Sequence, residues 1–490
     1  MVGVKFAIAV TLLGMLAYTW LRTPPRYGPA DECAVMARQP SPSCASAPAL
    51  PALGATLAAT RPMDARAFVD TIGVNTHLFY ADTSYGDFAM VRRRLLELGV
   101  RHIRDGLDPG RTPVFFERVR VLAADGIKST LIACRVEPGD LPWRTYVQDA
   151  KRSLRSSLDA LEGVNEPDLV AAGTPWATRA KRCQREIYRQ ARRSSLGGPL
   201  EVPILGPALQ VGATQRLGDI SDRADAGAIH PYAGGMRPNR AGEYSFASQM
   251  ARVRRHQFDG ARVPVYATET GYHDAMNTTD AHPPVSQRAI AIYMPRLFLE
   301  HAKAGIKRTF AYELADERPD PALTDVELNF GLFESDWSIK PSGASLSNTI
   351  DLLDSPRPGP REALSYGLTN TADPDGEGPR GAVRDLLLQK ADGSYWLALW
   401  QDSTVWNTET RTDISNAGAR VRVTLPRRMD VRSYRPRSGR SASNRRTARS
   451  FTTSVGDDVL LIRMSEPAAA PAEGRRPAAA RAKLSGAATG

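Results

Sequence analysis

Two glutamates each stand at the end of a short apolar run and could share one piece of acid–base chemistry. Glu166 lies in the stretch LEGVNEP and Glu269 in the stretch VPVYATETGY. A carboxyl group in apolar surroundings can keep its proton near neutral pH, whereas a carboxylate beside a cation stays ionised. Such a pair could supply an acid and a nucleophile to one reaction. Seen alone, the triplet around Glu166 would better suit an ordinary turn, so the elements that carry both residues must be considered.

Further polar side chains follow other apolar runs in the same way. They are His77 in GVNTHL, Arg104 in HIRDGL, Asn165 directly before Glu166, His230 and Tyr232 in AIHPY, and Tyr312 in FAYEL. Arg104 would favour the ionised form of Glu269, and Tyr232 could donate a hydrogen bond to it. The remaining four could bind hydroxyl groups of a substrate. Exposed aromatic rings could stack on such a substrate, and the candidates are Tyr80, Trp143, Trp176, Tyr272 and Tyr312.

The apolar runs alternate with amphipathic helical patterns. Strands are predicted at 71–78, 100–107, 128–135, 157–167, 202–209, 226–235, 263–272 and 308–317, and helices at 87–99, 112–126, 176–194, 243–257 and 284–305. Eight strands, each followed by a helix, over about 280 residues predict an α/β fold of the (β/α)8 TIM-barrel type. The competing open sheet usually has fewer strands and a glycine-rich first turn, which TIGVNTHL lacks. In such barrels chemistry occurs at the C-terminal ends of the strands, where all these polar residues fall.

The chain divides into five predicted segments. A helix near 342–354 is followed by the breaker SPRPGP, and the alternating apolar pattern beyond it predicts an all-β sandwich. The segments are an N-terminal signal peptide or anchor over 1–21, a Pro/Ala-rich linker over 22–60, the catalytic barrel over 61–357, the β-sandwich over 358–465 and a disordered tail over 466–490.

Glu166 and Glu269 would face each other across the barrel mouth, on the fourth and seventh strands. Two carboxylates in that position can divide acetal hydrolysis, one attacking the anomeric carbon and the other protonating the leaving oxygen. The stretch from about 70 to 355 resembles the clan A glycoside hydrolases, retaining barrel glycosidases that include families 5, 30, 39 and 51. The Asn165–Glu166 pair, Glu269 in ATETGY, Arg104, the His-Pro-Tyr at 230–232, and the later stretches NFGLF and IKPSG carry the resemblance.

The resemblance implies that Glu166 is the acid/base, that Glu269 is the nucleophile, and that Asn165 binds the sugar 2-hydroxyl. It also implies an O-glycosyl hydrolase that needs no cofactor and no metal. One departure concerns the eighth strand, where clan A enzymes often place a tryptophan as a sugar platform and this chain has Tyr312 and Glu313. The kind of sugar therefore stays open.

The charge and composition of the chain indicate which kinds of molecule it could bind. Lys and Arg number 64 against 53 Asp and Glu, and much of the excess lies in the arginine-rich stretch 427–450. A basic protein would suit an acidic oligosaccharide or polysaccharide. Nucleic acid is not expected, because the sequence has no zinc-ligand spacing, no phosphate-binding glycine loop and no aromatic-basic RNA-binding pattern.

The N-terminus indicates export. An uncharged, largely apolar run spans residues 6–20, which suits a signal peptide, or an uncleaved anchor that would be the protein's only contact with a membrane. The protein is therefore expected to be secreted, or to lie in the periplasm or cell envelope. Among its four cysteines, Cys33 and Cys44 are the first pair expected to form a disulfide.

Two other functions remain open from the sequence. A non-catalytic glycan-binding barrel of the cell envelope would need neither glutamate. A polysaccharide lyase would use Tyr232 or His230 as its base and would release products that absorb ultraviolet light.

Overall fold

The structure, a computed structural model, describes residues 57–107, 112–134, 143–370 and 383–467. The strands are β1 (Ala58–Thr60), β2 (Met63–Asp64), β3 (Ile72–Asn75), β4 (His102–Gly106), β5 (Lys128–Cys134), β6 (Leu158–Val164), β7 (Ile204–Leu205), β8 (Gly227–Ile229), β9 (Val265–Thr270), β10 (Thr309–Ala311), β11 (Leu364–Asn370), β12 (Val383–Gln389), β13 (Tyr395–Gln401), β14 (Trp406–Asn407), β15 (Thr412–Asp413), β16 (Ala419–Tyr434), β17 (Asn444–Val455) and β18 (Leu460–Ser465). The α-helices span Ala65–Asp70, Phe88–Leu98, Pro113–Ala124, Trp143–Ser153, Pro167–Val170, Trp176–Arg192, Ala213–Leu217, Phe246–Gln257, Gln287–Ala304 and Pro341–Leu353. Short 3-10 helices lie at Ser84–Gly86, Val326–Leu328 and Pro436–Ser438.

Strands β3 to β10 form a parallel barrel. The order in the sheet is β7-β6-β5-β4-β3-β10-β9-β8, and a parallel bridge between Leu205 and Ala226 joins its two ends. The predicted (β/α)8 barrel is therefore confirmed, and each predicted strand contains an observed one. Most of these strands are buried along their whole length, as expected for parallel strands covered by helices.

The second domain is all-β, as predicted. Its sheet has the order β1-β11-β16-β18-β13-β12-β2, with β17 paired to β16. The long strand β16 shifts register between Thr424 and Met429, and the sheet encloses its own apolar core, which includes Leu397, Val423 and Ile462. The apolar alternations on either side of Pro426 thus belong to one strand, which runs from Ala419 to Tyr434.

The N-terminal strands β1 and β2 belong to this second sheet rather than to the barrel. Strand β1 pairs antiparallel with β11, and β2 pairs parallel with β12. The end of the segment predicted as a linker is therefore a strand. The chain contributes two strands to the β domain before it forms β3, the first strand of the barrel. The domain boundaries otherwise stay a prediction.

A disulfide joins Cys134, at the end of β5, to Cys183 in the helix Trp176–Arg192, with Cα atoms 6.3 Å apart. The expected Cys33–Cys44 pair lies outside the described residues, as do the predicted signal segment and the tail beyond residue 467. Within the described segments, no helix combines the length and apolar composition needed to span a bilayer.

Candidate active site

The C-terminal ends of the parallel strands meet at one mouth of the barrel, and the candidate residues lie there. Arg104 and Glu269 belong to β4 and β9, whereas the others lie within three positions after the end of a strand. The structure brings six of them into one hydrogen-bonded network: Arg104, Asn165, Glu166, His230, Tyr232 and Glu269. His77 and Tyr312 lie in a neighbouring group of side chains.

Glu166 reaches this network through an unusual backbone conformation. Its φ is 39° and its ψ is 53°, in the left-handed region, and it precedes the short helix Pro167–Val170. Pro167 disfavours the right-handed helical conformation for the residue before it, and a non-glycine residue at positive φ is uncommon. Backbone strain of this kind is often found at functional sites. Here it accompanies a half-buried carboxylate whose Oε1 lies 2.8 Å from His230 Nδ1.

Arg104 is the hub of the network, and all five of its N–H groups have an acceptor. Nε and Nη2 bind the two oxygens of Glu162, at 2.6 and 3.1 Å. Nη1 donates to Glu269 Oε1 at 2.6 Å and to Asn75 Oδ1 at 3.0 Å. Nη2 also donates to Asn165 Oδ1 at 2.8 Å. Burial acts to lower the pKa of Arg104, but the carboxylates of Glu162 and Glu269 outweigh it and raise that pKa, so the guanidinium is a permanent cation.

Glu269 is a buried carboxylate that its neighbours keep ionised. Burial acts to raise its pKa, but His230, Arg104 and a hydrogen bond from Tyr232 outweigh burial, so the pKa of Glu269 falls below its ordinary value. The Tyr232 hydroxyl donates to Oε2 at 3.1 Å. Burial, together with Glu269, raises the pKa of Tyr232 well above 10. Tyr232 is therefore a neutral donor, as the sequence predicted.

His230 lies between the two glutamates rather than facing a sugar hydroxyl alone. Its Nδ1 is 2.8 Å from Glu166 Oε1 and 3.5 Å from Glu269 Oε2, and its Nε2 is 3.1 Å from Thr268 Oγ1. Burial acts to lower the pKa of His230, but the two carboxylates raise it above 6.5. One imidazole thus couples the two glutamates.

His77 and Tyr312 lie beside a second set of carboxylates. His77 Nε2 is 3.2 Å from Glu313 Oε2, and the Tyr312 hydroxyl donates to Glu327 at 3.2 Å. The Glu313 carboxylate also accepts from the Tyr85 hydroxyl at 2.7 Å. Burial raises the pKa of Glu313 and that of Glu327 to about 8. This part of the mouth is therefore lined by carboxyl groups rather than by a tryptophan platform.

Three site residues were not predicted from the sequence. Glu162 is fully buried and pairs with Arg104, Asn75 accepts from Arg104, and Gln210 Nε2 donates to Glu166 Oε1 at 3.4 Å. Only Glu162 carried a signal, because a charge inside the apolar strand LDALEGV needs a buried partner. Asn75 and Gln210 are ordinary strand-end residues in the sequence.

Two of the candidate stacking rings were wrong. Trp176 and Tyr272 are 1% and 2% exposed and pack in the core of the barrel, so neither presents a face to a ligand. Tyr80 is half-buried and stacks on His77 with ring centroids 4.6 Å apart. The Trp143 side chain lies outside the described residues.

Two groups at the mouth have donor atoms close enough to share a cation. The ligand atoms of Glu166, His230 and Glu269 lie within 4.8 Å of one another, and so do those of His77, Glu313 and Glu317. In both groups an imidazole nitrogen already lies within 3.2 Å of a carboxylate oxygen, so the contacts have an explanation without a metal. The expectation that catalysis needs no metal stays a prediction.

Comparisons with known proteins identify the fold. No protein-family model matches the sequence, and no curated protein matches it. Among solved structures, a family 39 glycoside hydrolase from Bacteroides cellulosilyticus WH2 has a TM-score of 0.54 at 16% identity, over 83% of this chain and 81% of that one. A monomeric beta-xylosidase from Caulobacter crescentus CB15 has a TM-score of 0.52 at 14% identity, over 83% and 98%.

A glucosidase from Croceicoccus marinus has a TM-score of 0.54 at 13% identity, over 84% of this chain and 99% of that one. At this level of identity the likeness concerns the fold. The chain has the fold of solved family 39 glycoside hydrolases, in agreement with the resemblance inferred from its motifs.

Proposed function

We propose that the protein is an exported O-glycoside hydrolase that cleaves an oligosaccharide or polysaccharide with retention of anomeric configuration. The observation that carries this proposal is the spacing of the two glutamates: an oxygen of Glu166 lies within 4.8 Å of an oxygen of Glu269. Retaining enzymes hold their carboxyl groups about 5–5.5 Å apart, whereas inverting enzymes need about 6.5–9.5 Å to admit a water molecule. The closer spacing favours a double displacement.

Glu269 is the proposed nucleophile. Its carboxylate attacks the anomeric carbon while the bond from that carbon to the leaving oxygen breaks, which gives a covalent glycosyl-enzyme. The lowered pKa of Glu269 keeps it ionised for this attack. Its contacts with Arg104 and Tyr232 fix both oxygens, so little reorganisation is needed when the bond forms.

Glu166 is the proposed acid and base. Among the described residues both hydrogen bonds to its carboxylate end on Oε1, from His230 and Gln210. The proton for the leaving oxygen would therefore be carried by Oε2. After the first step the same oxygen takes a proton from water, which attacks the anomeric carbon and releases Glu269. The partial exposure of Glu166 allows water to reach it.

Asn165 is the proposed ligand of the sugar 2-hydroxyl. Its Oδ1 already accepts from Arg104 at 2.8 Å, which leaves the amide Nδ2 as the group available to donate. A hydrogen bond to the 2-hydroxyl strengthens in the transition state and supplies part of the rate enhancement. The contact with Arg104 thus orients Asn165 before the sugar binds.

The sugar bound next to Glu269 is proposed to be neutral. Three carboxyl groups, Glu313, Glu317 and Glu327, line the mouth beside His77 and Tyr312. Burial raises the pKa of Glu317 to about 7, so from neutral pH upward a carboxylate of a uronic acid placed here would meet like charge. The net positive charge of the chain resides elsewhere, so acidic groups of the substrate would lie outside this subsite.

Export is supported by the apolar run at residues 6–20 and by the Cys134–Cys183 disulfide. Disulfides persist in oxidising compartments such as the periplasm and the cell exterior. An uncleaved N-terminal anchor would place the same enzyme on the outer face of a membrane. Mass determination of the mature protein distinguishes the two.

The lyase alternative is disfavoured by the state of its candidate bases. Tyr232 keeps its proton because its pKa is raised well above 10, and that proton is donated to Glu269. His230 is held between two carboxylates that raise its pKa. Tyr232 is therefore not a free base at neutral pH, and the neighbouring carboxylates favour the protonated form of His230.

The direct test is hydrolysis of a panel of aryl glycosides and polysaccharides, followed by reducing-sugar detection and by proton NMR of the first product formed. Turnover with a product of the same anomeric configuration as the substrate is expected. Binding of a glycan without turnover would instead identify a glycan-binding barrel. Products that absorb in the ultraviolet would identify a lyase, and an inverted product would refute the double displacement.

A further inference from the structure

The β domain carries three arginines side by side on one sheet face, here called the arginine row. Arg432 on β16 is paired directly with Arg445 on β17 and with Arg463 on β18. Directly paired residues of antiparallel strands point to the same face, and neighbouring strands lie about 4.8 Å apart. Three guanidinium groups are therefore presented together across three strands.

This arrangement is unfavourable for the isolated domain. Like charges directly opposite each other on a sheet destabilise the pairing. Within the described part of the chain, Arg463 alone of the three has a carboxylate partner, Asp392, at 3.2 Å. The side chains of Arg432 and Arg445 have no hydrogen bond or ion pair there. Like charges that face each other in a sheet without a compensating contact are expected mainly at functional sites.

Two more arginines extend the positive charge of the arginine row. Arg428 on β16 and Arg449 on β17 are both exposed, and each lies an even number of residues from the arginine of the row on its strand, so both point to the same face. The one acidic residue between them, Asp430, is paired with Thr447 and accepts a hydrogen bond from its hydroxyl. The face thus offers several guanidinium groups and little negative charge.

The exposed part of this face is polar, whereas Trp396, which is paired with Arg463 on the same face, is buried against the barrel. The large hydrophobic side chains that are exposed in the described chain all lie outside β16, β17 and β18, so nothing on this face would insert into a bilayer. Guanidinium groups bind carboxylates through paired, charge-assisted hydrogen bonds. The complementary ligand is a flexible polymer that carries several carboxylates.

We infer that the arginine row is a binding site for an acidic polysaccharide, separate from the barrel mouth. The inference rests on the proposed function in one respect, since a glycosidase gives the reason why the polyanion is a polysaccharide. The row holds the charged part of a polymer, while the carboxyl-lined mouth accepts a neutral sugar. Because the bound carboxylates relieve the repulsion between Arg432 and Arg445, the ligand also stabilises the β domain.

The test compares two doubly substituted variants of the full-length protein. The first replaces Arg432 and Arg445 by Thr, and the control replaces Arg255 and Arg262, two exposed arginines of the barrel, by Thr. Both variants lose two positive charges, but only the first changes the arginine row. Binding to polygalacturonate is measured by calorimetry over a series of salt concentrations, with neutral dextran as a second ligand.

The arginine row variant is expected to bind polygalacturonate at least tenfold more weakly than the control, with a weaker dependence of affinity on salt. Its melting temperature without ligand should equal or exceed that of the wild type, because the like charges are removed and Thr suits a strand. The wild-type melting temperature should rise with polygalacturonate and not with dextran.

Equal affinities of the two variants would overturn the site, since net charge alone would then explain the binding. Tight binding to phosphatidylglycerol vesicles, with none to polygalacturonate, would assign the face to a membrane instead. Both variants should hydrolyse an aryl glycoside at the wild-type rate. This assay tests the barrel site alone, so a failure of the arginine row can be distinguished from a failure of the proposed function. If no wild-type hydrolysis is found but polygalacturonate binds to the arginine row, the site stands and the catalytic proposal falls.

Discussion

Glu166 and Glu269 each present one oxygen to the same nitrogen, Nδ1 of His230, at 2.8 and 3.5 Å. A shared proton or hydrogen bond at this nitrogen couples the charges of the two carboxylates. Glu269 is further bound by Arg104 and Tyr232, whereas Glu166 has weaker support from Gln210. This asymmetry distinguishes an ionised nucleophile from a carboxyl group that exchanges protons.

Replacing Glu269 by Ala should reduce turnover to the background rate, because no covalent intermediate can form. Added azide can enter the space left by the carboxylate and attack the anomeric carbon from the same side. The product should then be a glycosyl azide of inverted configuration, which proton NMR identifies. Wild-type activity in this variant would remove Glu269 from the mechanism.

The effect of replacing Glu166 by Ala on the rate of hydrolysis should depend on the leaving group of the substrate. Loss of general acid catalysis lowers the rate by about 10²–10⁴-fold for substrates that need protonation, whereas aryl glycosides with good leaving groups should still form the glycosyl-enzyme. Azide should accelerate the second step and give a glycosyl azide with retained configuration. A matched replacement of the exposed Glu201 by Ala should have no effect on either substrate. A glycosyl azide of inverted configuration from the Glu166 variant would instead identify Glu166 as the nucleophile and Glu269 as the acid/base.

Replacing Tyr232 by Phe should shift the acid limb of the pH profile. The hydroxyl donates to Glu269 and helps to lower its pKa, so its loss raises that pKa. A hydrogen bond contributes about 0.5–1.5 kcal/mol and one pKa unit corresponds to about 1.4 kcal/mol. The acid limb of kcat/KM should therefore move upward by about half a pH unit to one unit.

The control for this shift is Tyr312→Phe. Its hydroxyl donates to Glu327 instead of Glu269, so KM should rise for a sugar bound beside it while the acid limb stays in place. Equal shifts in both variants would mean that the hydroxyl of Tyr232 does not act through Glu269.

The barrel could be predicted because its strands are short apolar runs between clear helical patterns. The β domain was harder. Strand β16 contains Pro426 and two arginines in its middle, which are typical of a break between strands. Strand β17 shows no clear apolar alternation, because most of its positions are exposed and several are arginines. Strands β1 and β2 are only three and two residues long, and their pairing depends on strands that follow about 300 residues later in the chain.

The candidate site was predictable where chemistry coincides with a strand end. Arg104, Asn165 and the two glutamates could be placed in this way, and the structure brings them together. Side chains that depend on packing could not be placed. The burial of Trp176, and the position of His230 between two carboxylates rather than toward solvent, depend on the tertiary arrangement of several strands.

Glu313 predicts a pH dependence of stability. Burial raises its pKa from 4.5 to about 8, although the hydrogen bond from Tyr85 acts in the opposite direction. The folded protein thus binds a proton that the unfolded chain has released. The stability linked to this proton is fully present below pH 4.5 and is lost as the pH rises through about 8.

The melting temperature of wild-type protein should therefore fall as the pH rises across this window. Glu313→Gln is neutral at every pH, so its melting temperature should fall less over the same range. Glu201→Gln, an exposed substitution, should follow the wild type. Parallel curves for the wild type and Glu313→Gln would show that Glu313 is not the group that binds the proton.

The β domain is expected to be required for the stability of the barrel. The helix Gln287–Ala304 of the barrel contacts it directly: Trp400 Nε1 donates to Glu300 at 2.7 Å, and Arg296 Nη1 donates to the Ser403 carbonyl at 2.8 Å. Trp396, Ala398 and Trp400 pack in the same apolar cluster as the barrel core. Deleting residues from 356 onward would expose the apolar surface of the barrel to water. It would also remove the β-domain partners of Arg296 and Glu300, and charged groups without partners are costly to keep buried. The truncated protein should be insoluble or should melt at a clearly lower temperature, measured by circular dichroism. A soluble truncate with the wild-type melting temperature and unchanged hydrolysis of aryl glycosides would show that the barrel folds without the β domain.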